Sequence, residues 1–206
     1  MAQDVTGPAP VWGCVLIGGR STRMGRPKHL IPMEGQTWLE LIVRQFQGLV
    51  EQVVLVGRGE APPSLAALPV LTDVPGLQGP LAGVLAAFRG HPQASWLVAA
   101  CDMPYLEREA LLWLLSCRGP EVRAVIPDLL GDGQVEPLLA YYDRRCRDLL
   151  EGLAAGGSAR LSRLAGQAGV VTPQPPAQLH GSWRNLNCPA DLRGLSRSDD
   201  NGCQSG

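Results

Sequence analysis

The chain has 206 residues, of which 45% are hydrophobic and 18% charged, with a formal net charge of −1. That length suits one domain with a substantial buried core, and the near-neutral balance gives no bulk tendency towards nucleic acid or an anionic membrane. Six cysteines without a Cys-x-x-Cys pair argue against a zinc site or a disulfide framework, and no apolar run approaches the roughly 20 residues of a membrane span.

Residues 1–10 are polar, contain Pro8 and Pro10, and lack the basic start and apolar core of a secretory signal. They read as a flexible amino terminus on a cytoplasmic protein. Trp12 to Ile17 then forms an apolar run of strand type, with Cys14 as a small buried thiol. It ends in Gly18-Gly19-Arg20-Ser21-Thr22-Arg23-Met24-Gly25-Arg26-Pro27-Lys28. Glycines let the backbone come close to a polyphosphate, exposed N–H groups can face the anion, and Arg20, Arg23 and Lys28 supply positive charge. No Gly-Lys-Ser/Thr closes the loop, so it is not a Walker A motif. Gly-x-Gly-x-x-Gly is also missing, so it is not a Rossmann fingerprint.

Thr37-Trp38-Leu39-Glu40 has the form of a capping box, and Trp38, Leu41, Ile42, Phe46 and Leu49 fall on one face of the helix it opens. Val53 to Val56 is a strand apolar enough to be covered on both faces. Pro69 to Thr72 is a short strand leading into Asp73. Gly79-Pro80-Leu81-Ala82-Gly83 opens a helix running to about Arg89, with Pro80 where its missing N–H costs nothing. Trp96 to Cys101 is a buried strand ending at Asp102, and Met103-Pro104 stops it.

Glu107 to Leu115 reads as helix and Ala124 to Ile126 as strand. Pro137 to Tyr142 reads as a strand feeding a charged helix over about 143–153, on which Arg144-Arg145-Cys146-Arg147 forms a solvated face. A further helix is expected over 158–164, a short strand at Val170-Val171, and a proline-rich connector over 173–178. From Ser196 the chain is polar and poor in apolar residues, which predicts a disordered tail over 196–206. The organisation is thus a single domain over 11–195 between two loose ends. His29, His91 and His180 show no ligand spacing and read as surface or loop residues. Strands alternating with helices predict an α/β domain with a mainly parallel sheet.

In such sheets ligands gather beyond the carboxyl ends of the strands, where the glycine loop, Asp73 and Asp102 all fall. An ionised carboxylate directly after six apolar residues needs solvent, a cation or a metal. Mg²⁺ suits Asp102 if a polyphosphate is present. Taken singly, each feature also fits a turn residue, a cap or a surface charge; their convergence on one sheet edge favours function.

Gly18-Gly19-x-Ser21-x-Arg23-Met24-Gly25-x-Pro27-Lys28 resembles the nucleotidyltransferase signature of the molybdenum cofactor guanylyltransferases, the MobA family. Gly79-Pro80-Leu81-Ala82-Gly83, Cys101-Asp102-Met103-Pro104 and Asn185-x-Asn187-x-Pro189-x-Asp191-Leu192 match three further motifs in the family's order, so the likeness spans about residues 11–193. The resemblance implies a Rossmann-like three-layer sandwich of the nucleotide-diphospho-sugar transferase type. It implies transfer of GMP from GTP to the phosphate of Mo-molybdopterin, with Mg²⁺ as cofactor and pyrophosphate as product. Leu16, Ile17, Gly18 and Gly19 would lie against the nucleotide, Arg23 and Lys28 would contact its phosphates, and Asp73 would help to form its pocket. Asp102 would hold Mg²⁺, with Lys28, Asp102 and Arg23 as the catalytic set. Asn185 and Asn187 would sit near the pterin, and Glu136 lies where the family has a motif on that side. Implied protein partners are molybdenum-insertion proteins and the molybdoenzymes, or their chaperones, that accept the product; nucleic acid and membrane are not among them.

Related cytidylyltransferases commonly carry Ala-Gly where this chain has Gly18-Gly19, and lack the Gly-Pro-Leu-Ala-Gly motif; both differences favour GTP. Three positions depart from the family pattern. Ile17 replaces an alanine, Val56-Gly57-Arg58 stands where an asparagine is common, and Cys188 replaces a threonine. The alternatives are a cytidylyltransferase or another small-molecule nucleotidyltransferase, and a nucleotide-binding accessory protein without turnover.

Overall fold

The computed structural model describes residues 9–17 and 27–186. Most of the expected flexible start, the expected tail, and Gly18, Gly19, Arg23 and Asn187 lie outside the described residues. The described strands are β1 (Val11–Leu16), β2 (Pro32–Met33), β3 (Gln36–Thr37), β4 (Val53–Val56), β5 (Val70–Leu71), β6 (Ser95–Ala100), β7 (Ala124–Val125), β8 (Leu139–Tyr142) and β9 (Val170–Val171). The helices are α1 (Trp38–Phe46), α2 (Pro80–Gly90), α3 (Arg108–Ser116) and α4 (Arg147–Ala155).

Seven strands form one sheet in the order β5-β4-β1-β6-β8-β7-β9, and β2 and β3 form a separate hairpin. From β5 to β6 all neighbours are parallel; β8 runs antiparallel to both β6 and β7. The mainly parallel sheet read from the sequence is therefore present, with one reversed strand. Leu16 of β1 stands opposite Val56 of β4 and Ala100 of β6, so the loops after all three strands leave from a common edge. The chain builds outward from β1 to β4 and β5, then crosses back to β6 on the other side of β1. The order thus reverses between β1 and β6, and the carboxyl ends of strands at such a reversal are the usual ligand position in open α/β sheets.

Alternation along the strands divides the core into two layers. Val15, Leu55, Leu97 and Tyr141 face α1 and α3, burying Leu39, Ile42, Phe46, Leu111 and Leu114. Cys14, Val54, Val98 and Tyr142 face α2 and α4, burying Leu81, Leu85, Phe88 and Leu150. Each such side chain contributes about 1.5–3 kcal/mol through removal from water. The expected capping box is present: Glu40 N donates to Thr37 Oγ1 at 3.3 Å, and Thr37 N donates to Glu40 Oε2 at 2.6 Å.

Several local expectations are corrected. The segment expected to be helical over 158–164 forms only a 3-10 turn at Leu161–Leu164. The helix after β8 begins with a 3-10 turn at Arg144–Cys146. There Arg145 is not merely solvated: it binds Asp143 at 2.6 Å and donates to the Pro120 and Val122 carbonyls, clamping the approach to β7. Part of the proline-rich connector is the start of a 3-10 helix at Ala177–Trp183. Leu49 lies beyond the end of α1, though it still packs on the core.

Candidate active site

Strand β1 ends at buried Leu16, and the next residue, Ile17, donates its N–H to the Val56 carbonyl at 2.8 Å. Ile17, the last residue before the glycine-rich segment, is thus pinned between β1 and β4. After that segment the chain returns in a 3-10 turn, Lys28–Leu30, that carries the lysine back to the same edge. Lys28 Nζ lies 3.2 Å from Asp102 Oδ2, with the two side chains only 17% and 23% exposed. The sequence separation of 74 residues is closed by topology: one group follows β1, the other follows its neighbour β6.

The second carboxylate oxygen carries the sharper signal. Asp102 Oδ1 is shielded from solvent and has no hydrogen-bond partner among the described residues. A desolvated anionic oxygen left unmatched is costly, and a hard cation answers that need. Among the described residues no group of three or more His, Cys, Asp or Glu side chains could hold a metal.

Asp73 borders the edge from the β5 side. Its Oδ1 lies against Gly83 in the first turn of α2, where an added Cβ would stand 3.2 Å from that oxygen and 2.9 Å from Leu16 Cδ2. Gly83 therefore lets the helix start press onto the ends of β1 and β4. Gly79, at φ 72°, supplies the left-handed backbone that turns the chain into this helix. The partly positive end of α2 consequently lies at the same edge as Asp73.

Asn185 is exposed and directly precedes Leu186, whose N–H donates to the Asp102 carbonyl at 2.8 Å. This places the Asn185 segment beside the carboxylate. A small satellite core supports both: Ile31, Trp38 and Leu186 are buried together, with Met33 and Tyr105 packed against them. It joins the turn after Lys28, the loop after Asp102 and the segment at Asn185. Arg184 lies over the Tyr105 ring at 5.7 Å. Glu136 enters from the β7–β8 hairpin; burial raises its carboxyl pKa. Since Leu139 stands opposite Ala99, Glu136 also lies towards the carboxyl end of β6.

Of the residues expected at the site, the structure places Leu16, Ile17, Lys28, Asp73 and Asp102 towards one sheet edge, brings Lys28 to Asp102, and bonds Leu186, next to Asn185, to the Asp102 backbone. Sequence reasoning missed the satellite core, whose signal was the apolar Leu186 between two asparagines. It also misjudged His29, which is buried rather than superficial and is hydrogen-bonded through Nε2 to the Glu60 carbonyl at 3.1 Å. The His91 ring packs at a tilt against Trp12 and Trp96, and His180 Nε2 meets the Pro175 carbonyl at 3.1 Å. Among the described residues, Cys14 and Cys101 stand nearest this edge and are both buried. Burial pushes the Cys101 thiol up to about 12 and raises Cys14 further, so both stay protonated at neutral pH.

Residues 13–170 match the model of the MobA-like NTP transferase domain. A Halalkalibacterium halodurans protein named "Probable molybdenum cofactor guanylyltransferase" is 30% identical over 193 residues, covering 87% of this chain and 94% of its own. A Bacillus anthracis protein of the same name is 31% identical over 164 residues, covering 77% and 80%. Among solved structures, the molybdopterin-guanine dinucleotide biosynthesis protein A of Archaeoglobus fulgidus superposes with a TM-score of 0.69 at 27% identity, covering 89% of this chain and 95% of that one. The 2-C-methyl-D-erythritol 4-phosphate cytidylyltransferase of Thermus thermophilus shares the fold, with a TM-score of 0.63 at 19% identity over 89% and 98%.

Proposed function

The chain belongs to the MobA-like NTP transferase family, and on that premise we propose that it transfers GMP from GTP to the phosphate of Mo-molybdopterin, releasing pyrophosphate. The observation that carries the proposal is the Lys28–Asp102 pair at the β1/β6 reversal, with one Asp102 oxygen shielded and unmatched. The acceptor's own phosphate is the nucleophile, so the reaction needs no serine, cysteine or histidine nucleophile. The physical obstacles are repulsion between two anions and charge growth on departing pyrophosphate. Alignment and electrostatic stabilisation address both.

Asp102 would hold Mg²⁺ through its unmatched oxygen, and Mg²⁺ bound there would neutralise triphosphate charge and polarise the reacting phosphorus. Lys28, already oriented by Asp102, donates to phosphate oxygens as negative charge moves onto the leaving group. Arg23 adds a second cation from the glycine-rich segment. Leu16, Ile17, Gly18, Gly19 and Asp73 line the nucleotide side, and the start of α2 adds a favourable dipole there. Asn185, whose neighbour Leu186 bonds the Asp102 carbonyl, and Asn187 would serve the pterin side. No helix among the described residues is long and apolar enough to cross a membrane. We place the protein in the cytoplasm, between molybdenum-insertion proteins and the molybdoenzymes that take the product.

Pyrophosphate release is the test. With Mg²⁺ and Mo-molybdopterin, GTP should support release and CTP should not; GTP with Mg²⁺ at 100 times its Kd should stabilise the fold by about 2.7 kcal/mol. Release from CTP in preference to GTP would convert the assignment to a cytidylyltransferase. Nucleotide binding without release would make the chain an accessory protein.

A further inference from the structure

We propose that His29 is a positioning residue for nucleotide transfer, its buried imidazole tying the turn that carries Lys28 to the 57–60 loop after β4. This rests on the nucleotidyltransferase reading of the Lys28–Asp102 site and adds a residue to it. Four observations support it. His29 is 2% exposed, an unusual depth for a polar ring in a three-residue turn. Its Nε2 lies 3.1 Å from the Glu60 carbonyl. A carbonyl only accepts, so Nε2 carries the proton and the imidazole acts as donor. On the other side of the contact, Gly59 leaves no room for a side chain: a Cβ there would stand 2.7 Å from His29 Cε1 and 3.0 Å from Nε2. Ring and loop are therefore fitted to one another.

The backbone around Lys28 needs such a tie. Its local bonds are those of one short turn, Leu30 N–H to the Pro27 carbonyl at 3.1 Å and Ile31 N–H to the Lys28 carbonyl at 3.0 Å. A lysine reaches its target on a flexible four-carbon stem, so an error in its backbone position is carried to Nζ. The 57–60 loop is anchored to the sheet: Gly57 donates to the Leu71 carbonyl at 2.9 Å. His29 thus refers Lys28 to β4 and β5, while Asp102 refers it to β6. Burial lowers the His29 pKa, which keeps the ring neutral near pH 7 and able to occupy an uncharged site.

The experiment compares His29→Leu, which fills the site without a donor, with His29→Gln, whose amide nitrogen can reach the Glu60 carbonyl. For pyrophosphate release from GTP, His29→Leu should lower kcat about tenfold with little change in KM, and His29→Gln should return it to within about threefold of the parent. In a Lys28→Ala background, His29→Leu should add no further loss. A Leu variant with the parent's kcat, a Gln variant as slow as Leu, or a full further loss without Lys28 each overturns the proposal. If the parent itself releases no pyrophosphate, the nucleotidyl-transfer reading has failed, and amide exchange then decides the coupling without any ligand. Faster exchange of 28–31 and 57–60 together in His29→Leu, reversed in His29→Gln, supports the tie; independent changes in the two segments refute it.

Discussion

Strands β1 and β6 lie side by side through the centre of the molecule, and their two ends are built on opposite principles. At the amino ends, Trp12 and Trp96 meet edge to face at 5.8 Å, with the His91 ring 4.5 Å from Trp12. That end is an aromatic seal, closed by packing. At the carboxyl ends, the same two strands deliver Lys28 and Asp102, partly exposed, with an oxygen left unmatched. Among the described residues the Trp12 and Trp96 indole N–H groups are also buried without a hydrogen-bond partner, but they are neutral and their rings gain packing; the carboxyl end retains the larger cost of a charged oxygen, which a bound ion and a triphosphate would relieve. The difference predicts that substitutions at the two ends separate stability from turnover.

The largest effect should fall at the carboxyl end. Asp102→Ala removes both the lysine's partner and the proposed metal ligand, and turnover should fall by about 10³-fold. Because that carboxylate is costly without a ligand, the unfolding midpoint should hold or rise. Steady-state kinetics beside urea unfolding checks both at once, and a variant that unfolds easily while turning over normally would break the contrast. The mirror-image change is Trp96→Ala, which empties a fully buried indole site at the other end. It should cost about 3–5 kcal/mol of stability while the folded fraction keeps the parent's kcat within about twofold.

The two ends also differed in how far they could be read from sequence. The meeting of Lys28 with Asp102 was legible because each group's position is local and their convergence is topological. A glycine-rich segment after one apolar strand and an aspartate after another must share an edge once both strands are parallel in one sheet. The β2–β3 hairpin was not legible, since two-residue strands carry no usable period. Nor was the burial of His29, because nothing near it in sequence shows that Gly59, thirty residues on, will accept its ring. Cys146 shows the same limit: an arginine run reads as solvated, yet the cysteine within it is buried against the sheet. Local pattern identifies the longer apolar and amphipathic elements; it does not fix which loops close over a polar ring.

Gly83→Ala sharpens the comparison at intermediate size. In an isolated helix alanine would stabilise by about 1 kcal/mol relative to glycine. Here the new methyl would meet Leu16 Cδ2 at 2.9 Å and Asp73 Oδ1 at 3.2 Å, and such crowding costs about 1–3 kcal/mol. The sum should be a small net loss of stability, on the order of 1 kcal/mol, with a larger effect on GTP affinity because Leu16 and Asp73 are displaced. Calorimetric titration with GTP and Mg²⁺ alongside thermal unfolding reads the two effects. Unchanged affinity would show that this side of the edge does not contact the nucleotide.

The smallest effect is the pH dependence carried by His29. Its pKa is lowered from the ordinary 6.5, chiefly by burial, while the bond to the Glu60 carbonyl acts in the opposite direction. The unfolded chain therefore takes up a proton at a higher pH than the folded chain does. The unfolded state binds more protons between the two pKa values, so stability rises with pH across that interval. The His29 contribution is complete above the ordinary imidazole pKa, and drains away as the pH falls from there towards the lowered value. His29→Gln removes the titrating group, so its urea midpoint should lose this acid-side slope while the rest of the profile stays parallel to the parent's. An unchanged slope would mean that the imidazole is already hydrated in the folded state. The tie from His29 would then add nothing to the Lys28–Asp102 contact.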